Sequence, residues 1–372
     1  MRRSAFIFLI VLALLVVLAF DILITAGAFV RIEPHFAGTC EPLPLPGSAE
    51  DIQIDRAAGV AYLSVLDRRA VLEGKDVSGT ILRLPMLASG VIVEYTDLQG
   101  APAVTEVSFG SLDVVSAVTN APQDFRPHGL SLYSPQDAPQ RLFVINHPAD
   151  KPHTVEIFER GAEGLFAHLE TIHNPLLVDP NAIVAVGPRE FYVSNFSGAP
   201  PGIERFIEMF FGRALAEIVY FDGDAMRAVD EPIALGTGIA ASADGGRVYV
   251  SEANARRVRV YSRDSATGGL TLVEYVDIHS AGNNLNVAED GSIWIAAHPK
   301  SYMLLKHLQN PEKKSPTQIL RVAVDPQTED RITEVYLNAG DEISAGSVAA
   351  VLGKQLLISS ITEHRILVCQ LP

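Results

Sequence analysis

Two cysteines in 372 residues leave no thiolate cluster for a structural zinc. The chain also has no Gly-x-Ser-x-Gly elbow, no His-Glu-x-x-His and no P-loop, so serine-hydrolase, zinc-protease and nucleoside-triphosphatase chemistries lack their usual residues. Gly236-Thr237-Gly238 stops short of a dinucleotide fingerprint: the third glycine and the following helix are missing, which leaves a turn. Positive charge is scarce as well. Lysines and arginines number 29 against 44 aspartates and glutamates, a formal charge of −15. Phosphate binding needs a dense basic surface, so a nucleic-acid partner is not expected. The acidity reads as solubility. Beyond a Pro/Gly-bearing lead-in at residues 31–49, no linker or low-complexity tract interrupts the chain.

A long apolar run stands at the start. Behind Arg2 and Arg3, residues 5–20 are uninterrupted apolar, and after Asp21 the apolar character resumes through Val30. Residues 1–30 read in two ways. One is a cleaved signal peptide with Ala26-Gly27-Ala28 as its small-residue site. The other is a signal anchor or transmembrane helix, since roughly 20 residues suffice to cross a bilayer and Asp21 can reach the headgroups. In both, the basic N-terminus stays inside and residues 31–372 are exported, either secreted or membrane-anchored. In an exported chain, Cys40 and Cys369 read as a disulfide clasping the two ends of the folded region; the alternative is two buried thiols.

The body is all-β. Six times, a short apolar strand led by a polar residue is followed by a turn and a second strand ending in small polar residues. The first strands open at Glu50, His128, Asn181, Thr237, Asn284 and Ser347; the second run over 59–65, 141–146, 190–195, 247–252, 292–297 and 355–360. Recurrence at roughly 50-residue spacing is the mark of propeller blades, so a six-bladed β-propeller closed by strands from both termini is expected. Third strands show as alternation at 153–158 and 256–261. One stretch breaks the pattern. Apolar positions 203, 206, 207, 210, 211, 214, 215 and 218 follow a 3.6 period, which predicts an amphipathic helix insert over 203–218. It is placed to roof the centre, dock on a membrane or cover a blade edge.

Blades converge on one axis, so the polar openers should meet there. Histidine titrates near neutrality, which suits it to take up and release protons. His128 opens an inner strand and His147 ends the next one, which makes them a candidate base and its relay. His153, His168, His173, His279, His307 and His364 have no such placement and read as surface or packing residues. Asn195-Phe196-Ser197 is an N-glycosylation triplet.

Several segments, in order, resemble the paraoxonase/arylesterase family: Ser48-Ala49-Glu50-Asp51, Phe125-Arg126-Pro127-His128-Gly129, Asn146-His147-Pro148, Ile183 to Pro188, Ser242 to Gly245 and Ala297-His298-Pro299. The terminal cysteines and the N-terminal apolar segment fit too, and the likeness runs from about Cys40 to Cys369. That resemblance implies a propeller with two calcium ions in its tunnel, hydrolysing lactones and aryl esters. Glu50, Asn181 and Asn284 keep the family's residue type at the catalytic calcium; Thr237 stands in place of asparagine and Asn283 in place of aspartate. Asp51 and the Leu130 carbonyl match the structural calcium, where a second aspartate has become Ala182. Four carboxylates have thus become two, and calcium affinity falls with ligand charge. His128 and His147 match the family's histidine dyad, and His298 a histidine of the active-site wall. The departures leave open a propeller of the same shape that has lost catalysis and binds a small hydrophobic ligand or a protein partner.

Overall fold

The computed structural model describes residues 2–86, 95–96, 102–103, 115–200, 202–325, 327–328 and 330–372. Period-2 alternation lets one strand serve two neighbours at once. In Val60–Leu66, Val60 and Tyr62 pack toward the blade that follows, while Ala61, Leu63 and Val65 pack toward the blade that closes the ring. The same division repeats around the molecule, and six apolar clusters each lie between adjacent blades.

The blades begin with the inner strands Ser48–Asp55, Pro127–Tyr133, Pro180–Ala185, Gly236–Ala241, Ala281–Val287 and Gly346–Leu352. Each inner strand borders the inner strands on both sides, which closes a six-membered ring. Each blade then steps outward through antiparallel neighbours. The second and fifth gain a short outer strand, Val118–Thr119 and His35–Phe36. In the sixth, the outermost strand comes from the N-terminal side: Thr39–Pro44 pairs with Arg365–Gln370, with Cys40 opposite Cys369. These two cysteines are disulfide-bonded across a sequence separation of 329. By the chain-entropy model such a loop contributes on the order of 5 kcal/mol.

Every inner strand carries a register shift at the same place. The shifts fall between Ala49/Ile52, Pro127/Leu130, Pro180/Ala182, Gly236/Ile239, Gly282/Leu285 and Gly346/Ala349. A bulge leaves its extra residue unpaired and re-aims the side chains beside it. The residues held in these bulges include the polar openers: Glu50, His128, Asn181, Thr237, Asn284 and Ser347.

The helix expected over 203–218 is shorter. It spans Ile203–Phe211 and ends where Gly212 takes the left-handed conformation at φ 64°. Ala216 then bridges Ile233, and Ile218–Phe221 is the third strand of its blade. A further helix, Ser301–Gln309, was not anticipated from the sequence. Its Tyr302, Leu305 and Leu308 share a face at three-residue steps, but the run is brief and sits between two blade strands. The N-terminal helix spans Arg2–Thr25, and its segment Phe6–Thr25 is long and apolar enough to cross a membrane by length and composition. The turn after it is fitted closely to the propeller. At Gly27, φ 74°, a Cβ would lie 1.8 Å from the Pro299 carbonyl oxygen, so no larger residue fits there.

Candidate active site

The openers gather where the bulges aim them. Glu50, Asn181, Thr237 and Asn283 line one cavity of about 620 Å³ at an end of the tunnel, together with His128, His147 and His298. Asn284 joins them through Glu50: its Nδ2 donates to the Glu50 backbone oxygen and to Oε1, each at 3.0 Å. The upper walls come from three helical segments. Leu18, Asp21 and Ile22 belong to the N-terminal helix, Arg205 and Met209 to the insert, and Tyr302, Leu305 and Leu308 to the Ser301–Gln309 helix.

His128 Nδ1 lies 2.9 Å from the Asn181 carbonyl oxygen. A carbonyl only accepts, so Nδ1 carries the proton and Nε2 keeps its lone pair. That nitrogen lies 3.9 Å from Glu50 Oε1. Burial lowers the His128 pKa, partly opposed by the Glu50 charge, so the ring is neutral at physiological pH. The His147 ring stands 4.8 Å from it, centroid to centroid. Burial, then the repulsion that His128 and His153 add when protonated, hold His147 well below the usual histidine range. His298 is pushed down to about 4 by burial. Both of its ring nitrogens lack a hydrogen-bond partner.

A buried guanidinium that the strand pattern does not mark sits beside this group. Arg68 follows Asp67, whose carboxylate caps the short helix Arg68–Leu72 by accepting from Ala70 N. Its Nε is 3.9 Å from Glu50 Oε2, and it donates to the Ser48 carbonyl at 3.1 Å and the Pro127 carbonyl at 2.7 Å. It therefore ties two inner strands together beneath the cavity. Asp179 and Arg205 form an ion pair at the rim, linking the insert helix to the third blade. On that helix Glu208, fully buried, accepts from Ser197 Oγ and Gly198 N, whereas Ile203, Phe206, Phe210 and Phe211 remain exposed.

The residues present fit a hard cation. Glu50 Oε2 and Asn284 Oδ1 are buried oxygens without a hydrogen-bond partner, and the Asn181 amide nitrogen is similarly free. Amide ends interchange by a flip, so Asn181 offers an oxygen too. Thr237 donates its hydroxyl to the Gly282 carbonyl at 2.9 Å, with lone pairs remaining. Asn283 Nδ2 is 3.4 Å from Ser347 Oγ. Deeper, Asp51 accepts from Ile52 N at 2.8 Å and from Leu130 N at 2.9 Å. Burial still raises its pKa to about 7, and a neighbouring cation would hold such a carboxyl ionised. Ala182 supplies a methyl to the apolar layer between the third and fourth blades, where a carboxylate would add charge. Among the described residues, no group of three or more His, Cys, Asp or Glu is placed to hold a metal. Any ion here would lean on amide and hydroxyl oxygens.

The asparagine of the glycosylation triplet lies inside the fold. Asn195 is 1% exposed, its Nδ2 donates to the Leu176 carbonyl at 3.0 Å, and its Oδ1 accepts from Asp179 N at 3.1 Å.

Compared with known proteins, residues 109–371 match the family model described as Arylesterase. Human serum paraoxonase/arylesterase 1 is 33% identical over 249 residues, covering 66% of this chain and 69% of its own length. The mouse protein of the same name is 31% identical over 274 residues, covering 73% and 74%. Among solved structures, a luciferin-regenerating enzyme superposes with a TM-score of 0.51 at 13% identity over 90% of this chain and 95% of its own, a likeness of fold. By its sequence, this chain belongs to the arylesterase (paraoxonase) family.

Proposed function

We propose that the chain hydrolyses lactones or aryl esters in the cavity over the Glu50 cluster, with calcium as its cofactor. One observation carries the reading: a neutral histidine, His128, presents its Nε2 lone pair beside a buried carboxylate among oxygens that lack partners. Glu50, Asn181, Thr237, Asn283 and Asn284 would hold one ion. Asp51 and the Leu130 carbonyl would hold a second, weakened by Ala182. Bound at the first position, calcium would polarise the ester carbonyl and stabilise its developing negative charge.

The chain's own residues supply the rest. His128 Nε2 takes a proton from water as the water oxygen bonds to the carbonyl carbon. The acyl C–O bond breaks, and the alkoxide or phenoxide leaves with the proton that His128 returns. The Asn181 carbonyl holds the His128 tautomer throughout. His298 offers a ring N–H to the substrate from the cavity wall.

Residues 1–30 would act as a signal anchor, leaving 31–372 as an extracytoplasmic propeller domain. The exposed Ile203, Phe206, Phe210 and Phe211 would give the insert helix a second hold on the membrane.

Purified protein should cleave phenyl acetate or an aliphatic lactone, lose the activity in EDTA and regain it on adding calcium. Full activity in chelator would reject the metal role. No turnover on a broad ester and lactone panel at saturating calcium would favour the second reading, a binding propeller. The Ala182 methyl and the apolar helix walls are the features that favour it.

A further inference from the structure

Three imidazoles stand in one row. The His147 ring meets His128 on one side at 4.8 Å and His153 on the other at 4.4 Å, the second contact edge-on at 61°. The row begins in the cavity, whose wall includes His128 and His147 but not His153. It ends at a half-buried His153, which follows the exposed Lys151 and Pro152 and precedes the strand Thr154–Arg160. Along it, His147 Nε2 and His153 Nδ1 are buried without a hydrogen-bond partner. A buried polar atom left unpaired is costly. Packing alone gives no reason to retain two of them side by side.

We propose that His153 is a positioning residue that carries the product proton from His147 out to solvent. The inference rests on the hydrolase reading. Ester hydrolysis consumes water and yields an alcohol and a carboxylic acid. At neutral pH the acid ionises, so one proton per turnover must leave the cavity. After His128 has returned its first proton to the leaving oxygen, it takes the acid proton. The proton then passes by way of bridging water to His147, to His153 and out to solvent, since His147 Nε2 and His153 Nδ1 are not hydrogen-bonded to one another.

Two variants separate proton transfer from packing. His153→Phe keeps an aromatic ring without its nitrogens, and His153→Ala leaves space for a small buffer molecule. With phenyl acetate in weak, non-imidazole buffer, both should lose about tenfold in kcat at unchanged KM, less than the roughly 100-fold or more of a group that touches the reacting atoms, because His153 acts through His147. Added imidazole should restore His153→Ala but not His153→Phe, with thermal midpoints near wild type. Wild-type kcat in both variants at every buffer concentration would overturn the proposal. So would a loss in His153→Ala that imidazole leaves unrelieved, or full activity in His153→Phe. If the wild type cleaves no ester or lactone, the hydrolase reading fails and the proton exit with it. An active wild type with unaffected variants defeats the exit alone.

Discussion

At the cavity end of the tunnel, Glu50 Oε2 and Asn284 Oδ1 have no hydrogen-bond partner. Further along the same two strands, Gln53 donates to Asn286 Oδ1 at 3.1 Å, and Asn286 Nδ2 donates to the carbonyls of Ile52 at 3.0 Å and Ala349 at 3.3 Å. This far end encloses only about 200 Å³. Identical strands thus end in opposite bonding states. Where the amides are satisfied, they bind the first, fifth and sixth blades to one another and narrow the channel. Where they are left open, the surrounding blades hold them in place at a cost that only a ligand or a reaction would offset. Stability and chemistry are therefore separable along a single strand.

His128→Gln should break the contrast most severely. We expect kcat on phenyl acetate to fall about 100- to 1000-fold with the thermal midpoint little changed; a loss below tenfold would move the base elsewhere. Glu50→Gln should weaken calcium binding on the order of tenfold, because one of few charged ligands is removed; titration calorimetry reads this directly. Gln53→Leu is the mirror experiment. It leaves Asn286 Oδ1 unpaired and should cost about 1–2 kcal/mol in denaturant unfolding, with kcat unchanged. A fall in kcat without a loss of stability would erase the distinction between the two ends.

The smallest effect concerns pH. His298, lowered to about 4, contributes stability that is present above the unfolded value near 6.5 and is lost as pH falls toward 4. Asp51, raised to about 7, contributes stability that is present below 3.8 and is lost as pH rises through 7. A calcium ion at Asp51 competes with that proton, so calcium should raise the thermal midpoint more at pH 8 than at pH 5. Equal increments at both would show that Asp51 does not face the ion.

The sequence carried the propeller because both of its signals are local. Alternation in Val60–Leu66 or Arg247–Glu252 marks a strand packed on two sides, and a polar opener such as Asn181 marks the bulge that turns inward. The floor of the site was legible for the same reason. Its roof was not. The Ser301–Gln309 helix turns Leu305 and Leu308 toward a cavity rather than a core, within a connection too short to establish a period. The apolar period after Ile203 ran on past Gly212, where the backbone had already turned. Arg68 and His153 lie in connections between strands, and only tertiary placement brings them to Glu50 and His147.

The strand Thr39–Pro44 is made early in synthesis, and its partner Arg365–Gln370 comes more than 300 residues later. That N-terminal edge therefore has no strand to pair with until the last strand of the chain has been made. The oxidising step that links Cys40 to Cys369 then acts as a seal on a finished ring, and a chain shortened by its last strand would have nothing to seal.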